Sequence, residues 1–139
     1  MRTLLVALSV ALLAVTASWG AGIDLALCKP GSAVSYFPDG TVQSCPMGDD
    51  TVIDNVNCAQ YMPAVVYQNG RLRSCTTRDY FVYDTITCNQ YTVVTFYPSG
   101  KLDNCTLFDQ AHFGDRTCAE YQPVFLYENG NLKSCGTPP

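Results

Sequence analysis

The chain has 139 residues, with 8 basic and 12 acidic side chains, 8 cysteines and a single histidine. Setting aside an export segment leaves about 117 residues, enough for one domain and too few for two. An acidic balance without a basic run excludes a nucleic-acid partner, because phosphate contacts need clustered Lys and Arg.

Residues 1–22 read as a signal peptide. Arg2 is followed by an apolar run from Leu4 to Val15, broken only by Ser9, and then by small residues. Cleavage could follow Ala17, Gly20 or Gly22. The run is too short to span a bilayer and no longer one follows, so no integral membrane segment is expected. Without Arg2 the balance is 7 basic against 12 acidic side chains, a charge near −5. All the cysteines lie after this segment, so export to a periplasm or the extracellular space would place them where disulfides form. Leu25-Ala26-Leu27-Cys28 has the outline of a bacterial lipoprotein box, with bulky Leu27 where a small residue is needed; lipidation of Cys28 is the alternative.

Residues 23–139 read as a single repeat domain. The cysteines stand at 28, 45, 58, 75, 88, 105, 118 and 135, with gaps alternating between 17 and 13, so the period is 30. Gly40, Gly70, Gly100 and Gly130 share one column. Val42, Leu72, Leu102 and Leu132 share another, Val34, Ala64, Val94 and Val124 a third, and Phe37, Tyr67, Tyr97 and Tyr127 a fourth. A fixed period with matching columns marks a repeat array. Three full repeats, 28–57, 58–87 and 88–117, precede a half-repeat at 118–135.

The first half of each unit predicts a β-hairpin. The turns Pro38-Asp39-Gly40, Gln68-Asn69-Gly70, Pro98-Ser99-Gly100 and Glu128-Asn129-Gly130 suit a type I turn closed by a left-handed glycine. Pairing outward sets Phe37 opposite Thr41, Tyr36 opposite Val42 and Val34 opposite Ser44. Alternation then puts Val34, Tyr36 and Val42 on the core face, with Ala64, Val66, Leu72, Val94, Phe96, Leu102, Val124, Leu126 and Leu132 as equivalents. The opposite face carries Phe37, Tyr67, Tyr97 and Tyr127. Connectors 46–57, 76–87 and 106–117 predict a third short strand, and no window shows helical spacing. The expected fold is all-β, with units that must stack because none can bury enough surface alone.

Val66-Tyr67-Gln68-Asn69-Gly70-Arg71-Leu72 and Phe96-Tyr97-Pro98-Ser99-Gly100-Lys101-Leu102 resemble MORN-type repeats, and more closely the MORN-like hairpin repeats of exported bacterial proteins. The resemblance covers about ten residues in each of four units. Standard units of that family are shorter, richer in glycine and without paired cysteines. What the resemblance implies is an elongated array of stacked β-hairpins that acts by binding rather than catalysis.

A repeat should use one disulfide rule. Pairing within units (Cys28–Cys45, Cys58–Cys75, Cys88–Cys105, Cys118–Cys135) uses every cysteine; pairing across connectors strands Cys28 and Cys135. Against the first rule, a straight strand would carry Cys28 about 16 Å beyond the partner of Cys45, so 29–33, 59–63, 89–93 and 119–123 would have to fold back. No close cysteine pair suggests zinc or redox chemistry. Asp49, Asp79 and Asp109 align, with Asp50, Asp54, Asp84 and Asp115 nearby. They read first as turn residues, with stacked carboxylates for Ca²⁺ as the alternative. Tyr61, Tyr91 and Tyr121 align as a second aromatic column beside Phe37, Tyr67, Tyr97 and Tyr127. Both columns are candidate binding surface, since Tyr offers a rigid face with a polar tip, and both could instead be packing within the sheet. His112 has no repeat equivalent and no nucleophile beside it, and Asn104-Cys105-Thr106 is a formal sequon on a cysteine expected to be bonded.

The expected protein is therefore an exported, non-enzymatic scaffold without cofactor or metal, binding a protein, glycan or envelope component. A small effector or inhibitor that binds through its connectors is the second reading, and a carbohydrate-active enzyme using connector carboxylates the third.

Overall fold

A computed structural model describes residues 20–139. Residues 1–19, and with them most of the expected signal segment, lie outside the described residues. The fold is all-β apart from one 3₁₀ turn at Leu25–Leu27, which Asp24 caps by accepting the Ala26 N–H. Among the described residues no helix is long and apolar enough to cross a membrane.

Eight strands form one antiparallel sheet in chain order: β1 (Ser35–Tyr36), β2 (Val42–Pro46), β5 (Pro63–Val66), β6 (Leu72–Thr76), β9 (Val93–Phe96), β10 (Leu102–Thr106), β13 (Pro123–Leu126) and β14 (Leu132–Cys135). Between them lie three separate two-stranded hairpins, β3 (Thr51–Ile53) with β4 (Val56–Cys58), β7 (Phe81–Tyr83) with β8 (Ile86–Cys88), and β11 (Ala111–Phe113) with β12 (Arg116–Cys118). The connectors thus hold two strands each, not one. Their two-residue turns need positive φ, which Asp54 (47°), Asn55 (66°), Asp84 (52°) and Gly114 (61°) supply.

The main hairpins turn as their residues dictate. Gly40, Gly70, Gly100 and Gly130 have φ of 79° to 89°, a region closed to most side chains. The residue before each glycine braces the turn: Asp39, Asn69 and Asn129 accept the N–H two residues on at 2.9 to 3.0 Å, and Ser99 does so at 3.4 Å. Asp39 also accepts the Thr41 hydroxyl, and these two bonds from Thr41, side chain before backbone, hold its carboxyl below the usual range.

Beyond the turn the register departs from simple alternation. Tyr36 pairs with Val42 as expected, but Ser44 pairs with Ser35 rather than with Val34, and the same slip recurs at Val65–Val66, Leu102–Asn104 and Phe125–Leu126. A β-bulge puts one extra residue in the second strand and resets which side chains face inward. Its consequence is that Cys75 stands opposite Ala64 and Cys135 opposite Val124. Val42 and Cys45 can then both be buried, three positions apart.

The core is a single layer between this sheet and the connector hairpins. Ala64, Val66, Leu72, Val94, Phe96, Leu102, Val124 and Leu126 meet Ile53, Val56, Ile86 and Ala111 there, and Phe81 stands edge-on to Phe96 at 5.7 Å. Asp54 ties the layers, its carboxylate accepting the Leu72 N–H at 2.8 Å. Met47, Thr77 and Leu107, an unexpected core column, are essentially inaccessible; Thr77 is tolerated because its hydroxyl donates to the Asn89 carbonyl at 3.0 Å. Tyr36 differs from the core expectation. It is 50% exposed where its counterparts Val66, Phe96 and Leu126 are buried, because no connector hairpin precedes β1 among the described residues.

Candidate functional site

The four disulfides are Cys28–Cys45, Cys58–Cys75, Cys88–Cys105 and Cys118–Cys135, with Cα atoms 5.5 to 5.8 Å apart. The distance problem of a straight strand is removed by a turn immediately after the first cysteine of each pair. In the second unit the Ala59 N–H donates to the Thr76 carbonyl at 2.8 Å, the Met62 N–H returns to Ala59, and the Tyr61 N–H reaches the Met47 carbonyl at 2.8 Å. The Tyr91 N–H reaches Thr77 and the Tyr121 N–H reaches Leu107 in the same way.

That turn requires a left-handed residue at its third position. In the first unit it is Lys29-Pro30-Gly31-Ser32, with Gly31 at φ 73°, the Pro-Gly pair such turns favour. In the other three units the same position is tyrosine: Tyr61 at 65°, Tyr91 at 55° and Tyr121 at 59°. An L-residue other than glycine gives up about 1 kcal/mol there, and a bulky aromatic is uncommon. The strain is not offset by burial, since the three side chains are 57% to 59% exposed.

Each ring has a neighbour. Lys29 Nζ lies 4.8 Å over the Tyr61 ring, the Arg78 guanidinium 5.3 Å over Tyr91, and Phe108 stands edge-on to Tyr121 at 6.3 Å and against Tyr80 at 4.4 Å. Arg78 also donates to the Tyr91 hydroxyl and pairs with Asp50 at 3.1 Å. The edge therefore runs Lys29, Tyr61, Arg78, Tyr91, Phe108, Tyr121 along one end of the sheet. Sequence reading missed Lys29, Arg78, Phe108 and Tyr80 because their columns vary: Gly48, Arg78 and Phe108 are equivalents that share no chemistry. No local sequence signal marks them, because Arg78 and Phe108 come from the preceding connector and Lys29 from the preceding turn.

The other aromatic column is differently placed. Tyr67 and Tyr97 are half-buried, and their hydroxyls donate to the Phe96 and Leu126 carbonyls at 2.8 and 2.7 Å, 29 residues further on. Phe37 packs against the core. Burial, and behind it the Asp103 carboxylate and then Glu128, raises the Tyr97 phenol above its ordinary range. Tyr127 is 50% exposed beside Lys133. Phe37, Tyr67, Tyr97 and Tyr127 thus form no uniform free ladder; the middle pair link adjacent units.

The carboxylates have partners within the chain rather than one another. Asp79 accepts the Asn57 side-chain amide at 2.7 Å, Asp50 accepts the Gln60 N–H at 2.8 Å, and Asp54 is committed to Leu72. Asp49 and Asp109 are exposed. Among the described residues no three His, Cys, Asp or Glu side chains come together as a cation site. His112 is exposed on β11, its Nδ1 3.1 Å from Thr117 Oγ1, and Asn104 precedes a bonded cysteine. Gly20 and Gly22, two of the possible cleavage positions, donate to the Asn69 and Gly70 carbonyls at 2.9 Å. Compared with protein-family models, with curated proteins and with solved structures, the chain matches none.

Proposed function

We propose that this chain is an exported, non-enzymatic array of MORN-like hairpin repeats with a 30-residue period, and that it acts by binding a protein, glycan or envelope partner. The binding element is the tyrosine edge, Tyr61, Tyr91 and Tyr121. One observation carries the reading: three exposed tyrosines occupy a strained backbone position that Gly31 fills without strain in the first unit. A position that disfavours tyrosine and does not bury it is explained by use of the ring, since persistent local strain is a mark of functional sites. The four disulfides support export to an oxidising compartment.

The test is recovery of cross-linked partners in the export compartment. Tyr61→Gly, Tyr91→Gly and Tyr121→Gly together should abolish recovery while the protein stays folded and oxidised. A chain with Tyr67→Phe and Tyr97→Phe should recover partners normally. The opposite pattern would move the site to the turn column, and loss only on exchanging connector 76–87 for 46–57 would favour an effector that binds through its connectors.

A further inference from the structure

We propose that the tyrosine edge takes a proline-rich segment in the polyproline II conformation, with basic side chains among its prolines. The proposal rests on the binding role given to that edge above, and it names the occupant.

The first ground is pitch. Tyr61, Tyr91 and Tyr121 stand two residues before the first residues of β5, β9 and β13, which lie two strands apart in the sheet, so their positions recur at about 9.6 Å. Polyproline II completes a turn in three residues, about 9.3 Å, and every third side chain faces the same way. An extended strand instead repeats on one face at about 6.8 Å and falls out of step after one ring. Polyproline II also leaves its carbonyls unpaired, and tyrosine hydroxyls can donate to them while the rings pack on pyrrolidine.

A second ground is what already lies at the edge. The chain's own Thr137-Pro138-Pro139 shares a depression of about 380 Å³ with Tyr121, Gln110 and Glu120, and Pro138 is partly buried. A proline pair of the chain itself thus forms part of the wall of the same depression as one of the edge tyrosines.

Third, the rings are not open platforms. Lys29 and Arg78 lie over faces of Tyr61 and Tyr91, and Phe108 crowds Tyr121. With a cation or a ring already against each tyrosine, a ridged peptide is better suited to the edge than the flat pyranose ring of a glycan. Asp49, Asp79, Asp109 and Glu120 are exposed around the edge and outnumber its two cations, Lys29 and Arg78, so in a chain of net charge −4 they complement basic residues in the ligand.

The experiment titrates the full oxidised chain by calorimetry with three nonapeptides: (Arg-Pro-Pro)₃, nonaproline and (Arg-Gly-Gly)₃. Nine residues span three turns, one for each ring. The expected order is (Arg-Pro-Pro)₃ tightest, nonaproline weaker at low salt, and (Arg-Gly-Gly)₃ at least tenfold weaker than the first. The Tyr61, Tyr91, Tyr121→Gly chain should lose at least tenfold for (Arg-Pro-Pro)₃. Tyr121→Asn alone, which keeps a residue tolerant of positive φ, should lose part of that and serves if the triple variant does not fold. Equal affinity for the proline and glycine peptides, or no loss on removing the tyrosines, overturns the proposal. So does binding of a β-1,4-linked hexasaccharide that depends on the tyrosines when neither proline peptide binds; that result would keep the edge and change its occupant. If the triple variant loses the peptide but still recovers its partners in the export compartment, the peptide site stands and the binding role proposed for the edge fails.

Discussion

Tyr67 and Tyr61 lie six residues apart in one unit, and both recur thirty residues on, as Tyr97 and Tyr91. In a column reading they are the same signal. In the fold they are opposites. The turn tyrosines keep an ordinary backbone, bury part of the ring and spend the hydroxyl on a carbonyl of the next unit. The edge tyrosines take a backbone conformation suited to glycine and leave more than half of the side chain in water. In one column Tyr67 and Tyr97 tie neighbouring hairpins of the sheet together. The other recurs at a left-handed position that the first unit fills with glycine and leaves its rings exposed, which is why only the second points to a partner.

The strongest way to break this comparison is to release the turn that imposes it. The Cys58–Cys75 bond closes a 17-residue separation around the turn at Tyr61. Replacing both cysteines by serine should lower unfolding free energy in urea by about 3 kcal/mol. In the surviving native state the amide–Hα coupling of Tyr61 should move away from the value for positive φ. A coupling that does not change would mean the turn holds without the bond, and that the Tyr61 N–H bond to Met47 suffices.

Next in size is removal of a turn hydroxyl. Tyr97→Phe deletes the donor to the Leu126 carbonyl and should lower the denaturant midpoint by less than loss of the disulfide does, leaving partner recovery unaltered. The same variant has a pH signature. The Tyr97 phenol titrates above its usual value, through burial first and then Asp103 and Glu128. The neutral form is therefore favoured by the fold, and its contribution is whole below the ordinary tyrosine pKa and lost as pH rises through the raised one. Melting temperature against pH should consequently fall less steeply above about pH 10 in Tyr97→Phe than in the parent. Parallel curves would show that the fold does not favour the neutral phenol.

Much of the fold was legible because it is written in spacing. The all-β class, the glycine turns, the first hairpin pair from Tyr36 to Val42 and most of the core face follow from residue type at fixed intervals. Three features were not legible. The bulge that brings Cys75 opposite Ala64 leaves no composition signal, since its residues are Gln43, Arg73, Asp103 and Lys133. The connector hairpins hid in strands of three residues, too short to show alternation, although Asp54-Asn55 is a recognisable two-residue turn. The difference between the tyrosine columns depends on φ, and the one clue was that Gly31 stands in line with Tyr61, Tyr91 and Tyr121. A column in which glycine alternates with a bulky aromatic signals a left-handed position occupied for another reason.

The smallest effect is the most telling because its sign is at issue. Tyr61→Gly removes the left-handed strain, about 1 kcal/mol, and gives back about 0.5 to 1 kcal/mol of Lys29 stacking on an exposed ring. It also adds unfolded-chain freedom of similar size. Stability should therefore stay within about 1 kcal/mol of the parent. Tyr61→Ala loses the same stacking and keeps the strain, so it should be the less stable of the two variants by up to about 1 kcal/mol. Denaturant midpoints of the two variants, measured side by side, decide the matter. If glycine instead destabilises by 2 kcal/mol or more, the ring is holding the fold together as Tyr67 does, and the distinction between the columns disappears. If glycine matches the parent and exceeds alanine, the tyrosine is kept at a position where the folded state has no need of it, and the reason must lie in what the ring touches outside the chain.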